Sequence, residues 1–115
     1  CYDIRFCELI RRLAVGGAEM LFVSAEWPIE RIAHWEALLR ARAIENQMYI
    51  AACNRCGITD GVRFGGHSMI IAPDGTVLAQ AGDDEAVITA EVDPASVTSI
   101  RDGLPVFSDR VPELY

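Results

Sequence analysis

The run Cys1-Tyr2-Asp3-Ile4-Arg5-Phe6-Cys7-Glu8 brings a thiol, a guanidinium and two carboxylates within a few residues of one another. A thiolate attacks carbonyl carbon well when a base takes its proton and hydrogen-bond donors receive the charge that develops on oxygen. A cysteine between a strand and a helix sits on a tight turn at the sheet's edge. The backbone N–H of the next residue then points toward that oxygen. Cys1 is a candidate nucleophile, and the Tyr2 N–H a candidate oxyanion donor, where a strand precedes this run; taken alone, the cysteine carries no such weight. Arg5 is close enough to line the same pocket, where its guanidinium can grip a substrate carboxylate through two parallel bonds. An ion pair of Arg5 with Asp3 or Glu8 is the competing reading. All ten basic residues are arginines, so no lysine of this chain can complete such a site.

Other chemistry-bearing residues read more plainly. Glu26-Trp27-Pro28 ends an apolar run, and ligand sites in parallel sheets gather at the strands' carboxyl ends. Trp27 is thus a candidate pocket wall, with simple packing as the alternative. Cys53-Asn54-Arg55-Cys56 is a CxxC match, but it runs into Gly57 and a polar loop. No helix dipole is placed to activate it, and no second ligand pair accompanies it for zinc. His67, in a loop and lacking a carboxylate at a fixed offset, reads as a hydrogen-bonding loop residue. Arg42, Glu45 and Asn46 read as an ion pair and cap at a helix end, and Asp74 as a turn residue. Neither a metal nor a cofactor is expected.

These residues need elements to hold them. Cys7–Val15 has helical spacing, with Leu9, Ile10, Leu13 and Ala14 as its apolar stripe and Gly16-Gly17 as its stop. Glu19–Ala25 fits a strand buried on both faces. Arg31–Gln47 is the longest helix candidate, with Ile32, Trp35, Leu39 and Ala43 on one side and Glu36 spaced to pair with Arg40. Met48–Cys53 reads as a second strand, parallel to the first, and Asn54–Gly66 as a loop. Ser68–Ala72 and Val77–Ala81 form a hairpin about Pro73-Asp74-Gly75-Thr76. Ala86–Val92 reads as a further strand. Asp93-Pro94 caps a helix over Ala95–Asp102, and an extended tail follows at about 103–115. The class is α/β, with helices covering a mixed sheet.

Composition sets the outer limits. The 115 residues suffice for one core, and 51% hydrophobic with 23% charged residues is globular. A formal net charge of −7 without a basic cluster argues against nucleic acid and anionic membranes as partners. No apolar stretch is long enough to span a bilayer. The four cysteines read as reduced thiols, which suggests a cytoplasmic setting.

The motifs, taken in order, resemble a known family. CYDIRFCE resembles the nucleophile segment of the carbon–nitrogen hydrolases, the nitrilase superfamily. GGAEMLFVSAEWP, HWEALLRARAIENQMYIAACNRCG, FGGHSMIIAPDGTVLAQAG and LPVFSDRVPELY continue the match with the family's order and spacing. The chain looks most like the small-amidase branch, which includes omega-amidase-like enzymes. Cys7 departs from the proline commonly found there.

The resemblance implies a four-layer αββα sandwich, homo-oligomerisation through helix faces, and a Glu, Lys and Cys triad of which only Cys1 maps here. It implies that residues 1–115 are the C-terminal part of one hydrolase domain and that the missing N-terminal part supplies Glu and Lys. The implied substrate is a small, carboxylate-bearing amide. Thiolate attack would release ammonia and leave a thioester for water to cleave. Losing one oxyanion donor costs roughly 3–4 kcal/mol, so the chain alone should be inactive. Two other readings stay open. One is an N-terminal-nucleophile hydrolase using the α-amine of Cys1 as base, whose pKa of about 8 suits that role. The other is a non-catalytic interaction module derived from half a hydrolase.

Overall fold

The computed structural model describes residues 1–115. A 3₁₀ turn, Tyr2–Arg5, leads into α1, Cys7–Val15. Gly17 then adopts φ +102, a conformation a side chain would resist, and redirects the chain into β1, Met20–Ala25. A second 3₁₀ turn, Ile29–Arg31, precedes α2, Ile32–Asn46, which ends on Gln47 in the left-handed region at φ 48. β2, Tyr49–Asn54, follows.

β1 and β2 pair in parallel, Leu21 opposite Ile50 and Ala25 opposite Asn54. Two further strands, β3 (Cys56–Thr59) and β4 (Val62–Gly65), form a separate antiparallel hairpin. β5, Met69–Ile71, adds antiparallel to β2, and β6, Val77–Gln80, closes the main sheet in the order β1-β2-β5-β6. The β5–β6 turn is the one anticipated: Asp74 Oδ1 accepts from the Thr76 N–H at 2.9 Å, and Gly75 has φ +87. The last helix, α3, spans Pro94–Gly103, and its cap is Asp93, whose Oδ1 accepts from the Ala95 N–H at 3.0 Å.

The core lies between the helices and one face of the sheet. Trp35, Leu39 and Ala43 of α2 are fully buried against Ile50, Met69 and Ile71, with Ile10 and Ala14 of α1 beside them. Alternation along the strands sends Phe22, Ala51 and Ile70, which are neighbours in register, to the opposite face. Phe22 is 76% exposed there, so β1 is not buried on both faces within these residues as its composition suggested.

Several expectations need correction. Asn54–Gly66 is not a loop, because it holds the β3–β4 hairpin. Asp60 and Gly61 turn it, both at positive φ, as a tight hairpin demands. Ala86–Val92 forms no strand, because its backbone meets no sheet edge, and Val87 is 92% exposed. On α1 only Ile10 and Ala14 are buried, whereas Leu9 and Leu13 stay more than two-fifths exposed. Glu36 does not pair with Arg40. It meets His67 instead, and Arg40 donates to the Gly75 carbonyl at 3.3 Å. The tail is not uniformly extended, for it turns at Pro105–Asp109 and winds a 3₁₀ turn at Pro112–Leu114. No helix is long and apolar enough to cross a membrane.

Candidate active site

Cys1 stands at the start of the Tyr2–Arg5 turn and caps it without a side-chain bond. Its thiol is exposed and borders Ser24, Ala25 and Glu26, at the carboxyl end of β1. Tyr2 is the first residue of the turn, where a helical N–H has no carbonyl behind it. The Tyr2 ring leans edge-on against Phe6, with centroids 5.4 Å apart.

Arg5 is half-buried, and its guanidinium carbon lies 4.6 Å from the centroid of the Trp27 ring. It makes no ion pair with Asp3 or Glu8. Glu8 turns instead toward the Cys7 thiol, 3.5 Å away. Its carboxyl is held below the usual range, first by a hydrogen bond from its own backbone and then by that thiol. Cys1, Tyr2, Arg5 and Trp27 line one open pocket of about 460 Å³, together with Glu26, Pro28 and Arg31. All four site residues read from the sequence therefore come together.

Trp27 packs in the core and also lines the pocket. It is 3% exposed and packs on Trp35 at 5.7 Å between centroids, yet its ring also walls the pocket. Its Nε1 donates to the Arg31 carbonyl at 2.7 Å, which pins the 3₁₀ turn beside it. Its main chain is clamped by Asn54 at the end of β2. Asn54 Oδ1 accepts from the Trp27 N–H at 2.6 Å, while Nδ2 donates to the carbonyls of Trp27 (3.2 Å) and Gly66 (2.8 Å). Asn54 is 6% exposed, so all of this happens away from water.

The hairpin reinforces the same edge. Arg55 reaches Glu26 at 2.7 Å and stacks 4.8 Å over Phe64, and Phe64 bridges to Pro28. Sequence reasoning missed Asn54 and Arg31. Asn54 had one signal, a polar residue closing an otherwise apolar strand, which the surrounding CxxC masks.

The remaining candidates lie elsewhere. Cys53 and Cys56 are free thiols on β2 and β3. His67 is a hydrogen-bonding residue as expected but is not without acids. Nδ1 lies 2.6 Å from Glu36 Oε1 and Nε2 lies 3.0 Å from Asp83 Oδ1. Its pKa is raised, chiefly by the Glu36 hydrogen bond, with burial opposing and Asp83 assisting. It does not line the Cys1 pocket. Arg42 and Glu45 do pair, at 2.8 Å, and Asn46 Nδ2 bonds back to the Arg42 carbonyl at 2.9 Å. A larger groove of about 670 Å³ separates α1 from the chain's last residues. It lacks Cys1, and its arginines are interspersed with Glu8, Glu45 and Asp109, so no unopposed charge waits there for a substrate.

A cysteine, Tyr2 and an unpaired guanidinium lining one pocket fit acyl transfer, and residues 1–102 match the carbon-nitrogen hydrolase family. The chain belongs to that family. It is 50% identical over 115 residues to the 2-oxoglutaramate amidase of Bacillus subtilis (strain 168), covering 100% of this chain and 44% of the relative. The NitFhit protein of C. elegans superposes with a TM-score of 0.93 at 43% identity, over 100% of this chain and 28% of that one. An amidase mutant from Nesterenkonia sp. AN1 carries the acetamide moiety of fluoroacetamide covalently at its active-site cysteine. It matches with a TM-score of 0.80 at 31% identity, over 99% of this chain and 40% of that one. The chain thus spans less than half the length of these family members. Its mixed sheet packed on helices has the fold of its nitrilase-superfamily neighbours.

Proposed function

We propose that these residues are the C-terminal part of one amidase domain in which Cys1 is the nucleophile. The Cys1 thiolate attacks the amide carbonyl of a small substrate, and the Tyr2 N–H receives the oxygen as it becomes negative. The tetrahedral adduct collapses, the C–N bond breaks, and nitrogen leaves as ammonia with a proton from a general acid. Water then adds to the thioester, the same group acting as base, and the carboxylic acid departs with restoration of the thiol. The general acid–base and the second oxyanion donor are a Glu and a Lys supplied by the part of the domain these residues do not span. The covalent cysteine adduct of the Nesterenkonia amidase supports this route.

Arg5 selects the substrate. A guanidinium stacked on Trp27 and free of acid partners presents its N–H edge for a carboxylate. The preferred substrates are then short amides bearing a carboxylate, a class that includes the substrate in the B. subtilis relative's name. The domain is completed by a second sheet that covers Phe22 and its neighbours. It associates with further copies through helix faces such as that of α1, where Leu9 and Leu13 look outward.

One observation carries the reading: Cys1, Tyr2, Arg5 and Trp27 line a single pocket. The test is steady-state amide hydrolysis by the full-length chain and its Cys1→Ala variant. Ammonia release should vanish in the variant, and a retained rate overturns the proposal.

A further inference from the structure

The Arg42–Glu45 pair of α2 has a second connection, and it leads to the turn that carries Cys1. Arg42 is 6% exposed. Its Nη1 donates to Glu45 Oε1 at 2.8 Å, and its Nε donates to the carbonyl of Ile4, also at 2.8 Å. Ile4 belongs to the Tyr2–Arg5 turn and is 2% exposed. This is the one side-chain hydrogen bond that reaches residues 1–6. The turn's own resources are slender, since a short 3₁₀ segment has poor hydrogen-bond geometry and Cys1 provides no side-chain cap.

A buried guanidinium cannot give up its acceptors cheaply, because a charge in the interior has no water to replace them. Arg42 is therefore a stiff strut. Glu45 fixes one edge of its planar fork and α2 fixes its base, through the Asn46 amide that bonds to the Arg42 carbonyl. The Nε–H, so oriented, then determines where the Ile4 carbonyl lies. Ile4 is three residues from Cys1 and adjacent to Arg5, so a displaced Ile4 peptide moves the thiol, the Tyr2 N–H and the Arg5 stem together.

We propose that Arg42, oriented by Glu45, is a positioning residue that sets the alignment of the Cys1 turn. It touches no substrate. The proposal rests on the reading of Cys1 as the nucleophile and adds the component that aims it. A merely structural Arg42 would change stability and leave the chemistry of each folded site alone. A positioning Arg42 changes turnover at each folded site. The loss falls mainly on kcat, because a misalignment of about 1 Å slows the reaction about a hundredfold while the substrate binds much as before.

The experiment uses the full-length chain with Arg42→Lys, Glu45→Ala and Glu45→Gln, reading kcat, KM and melting temperature on carboxylate-bearing and neutral amides. Lysine keeps the charge but lacks the fork that meets Ile4 and Glu45 together. We expect kcat per folded site to fall roughly 10–100-fold in Arg42→Lys, for both amide types, with KM within about twofold. Glu45 is a third exposed, so its variants keep the fold even where Arg42→Lys does not. Glu45→Ala should lose about 3–10-fold in kcat, and Glu45→Gln, which retains the acceptor oxygen, should recover most of it. A kcat within twofold of the parent in Glu45→Ala, or a loss matched by the unfolded fraction, overturns the proposal. Cys1→Ala in parallel keeps the two questions apart. A retained rate there sinks the nucleophile assignment, whereas an inactive Cys1→Ala with unaffected Glu45→Ala sinks only the strut.

Discussion

The Arg5 guanidinium lies 4.6 Å above the Trp27 ring and pairs with no acid. Stacking satisfies one face of the cation and leaves its N–H edge free, which suits recognition of a planar anion. The alternative ion pair with Asp3 or Glu8 does not form, and Glu8 bonds with Cys7 instead.

Arg5→Ala in the full-length chain should therefore change selectivity more than rate. A hydrogen-bonded charge contact contributes about 1.5–3 kcal/mol, so kcat/KM for a carboxylate-bearing amide should fall roughly 10–150-fold. The value for a neutral amide of the same length should move only slightly. An unchanged ratio between the two substrates would remove Arg5 from substrate recognition.

Asn54 is expected to be the most sensitive position outside the pocket lining. Its side chain makes three buried hydrogen bonds to the main chain at Trp27 and Gly66. Asn54→Ala leaves those groups unsatisfied and should cost about 2–4 kcal/mol of unfolding free energy. Denaturant titration of the full-length chain measures this directly, and a loss below about 1 kcal/mol would mean that solvent replaces the clamp.

His67 predicts a pH dependence of stability. Its folded-state pKa is raised, first by the hydrogen bond to Glu36. A raised value means that the folded state binds the proton more tightly than the unfolded chain does. The stabilisation is then complete below the ordinary histidine value of about 6.5 and is lost as pH rises through the folded-state value. Unfolding free energies of the parent and His67→Gln, compared from acid to mildly alkaline pH, should differ most on the acid side. A difference independent of pH would show that the charge on His67 is not coupled to folding.

Much of this frame is legible in the residues alone. Trp35, Leu39 and Ala43 recur at helical spacing and are fully buried, and Pro73-Asp74-Gly75-Thr76 turns as its residue types demand. Cys1 and Tyr2 are legible as a site through the resemblance of CYDIRFCE to a nucleophile segment, Arg5 through its closeness to Cys1, and Trp27 through its place after β1. The bonds that hold the site are not. Arg42 meets Ile4 across 38 residues and Asn54 meets Trp27 across 27, separations that leave no local pattern. The β3–β4 hairpin is hidden because polar residues and glycines obscure its alternation, although Asp60-Gly61 is its signal. Ala86–Val92 misleads in the opposite direction, since alternation says that a strand can form but not that an edge is there to receive it.

The same open sheet face bears on the behaviour of the isolated segment. With Phe22 76% exposed beside Ala51 and Ile70, residues 1–115 alone should self-associate and hydrolyse no amide. Light scattering and an ammonia assay on that segment check both points. A monodisperse, active preparation would mean that the site is complete within these residues.

Intact-mass and peptide mass spectrometry of the full-length chain, quenched during turnover of a carboxylate-bearing amide, tests the role of Cys1 most directly. An acyl mass increment is expected on the peptide that contains Cys1, absent in Cys1→Ala and lost on further incubation. An increment on another residue, or turnover at the parent rate in Cys1→Ala, would contradict the assignment of Cys1 as nucleophile.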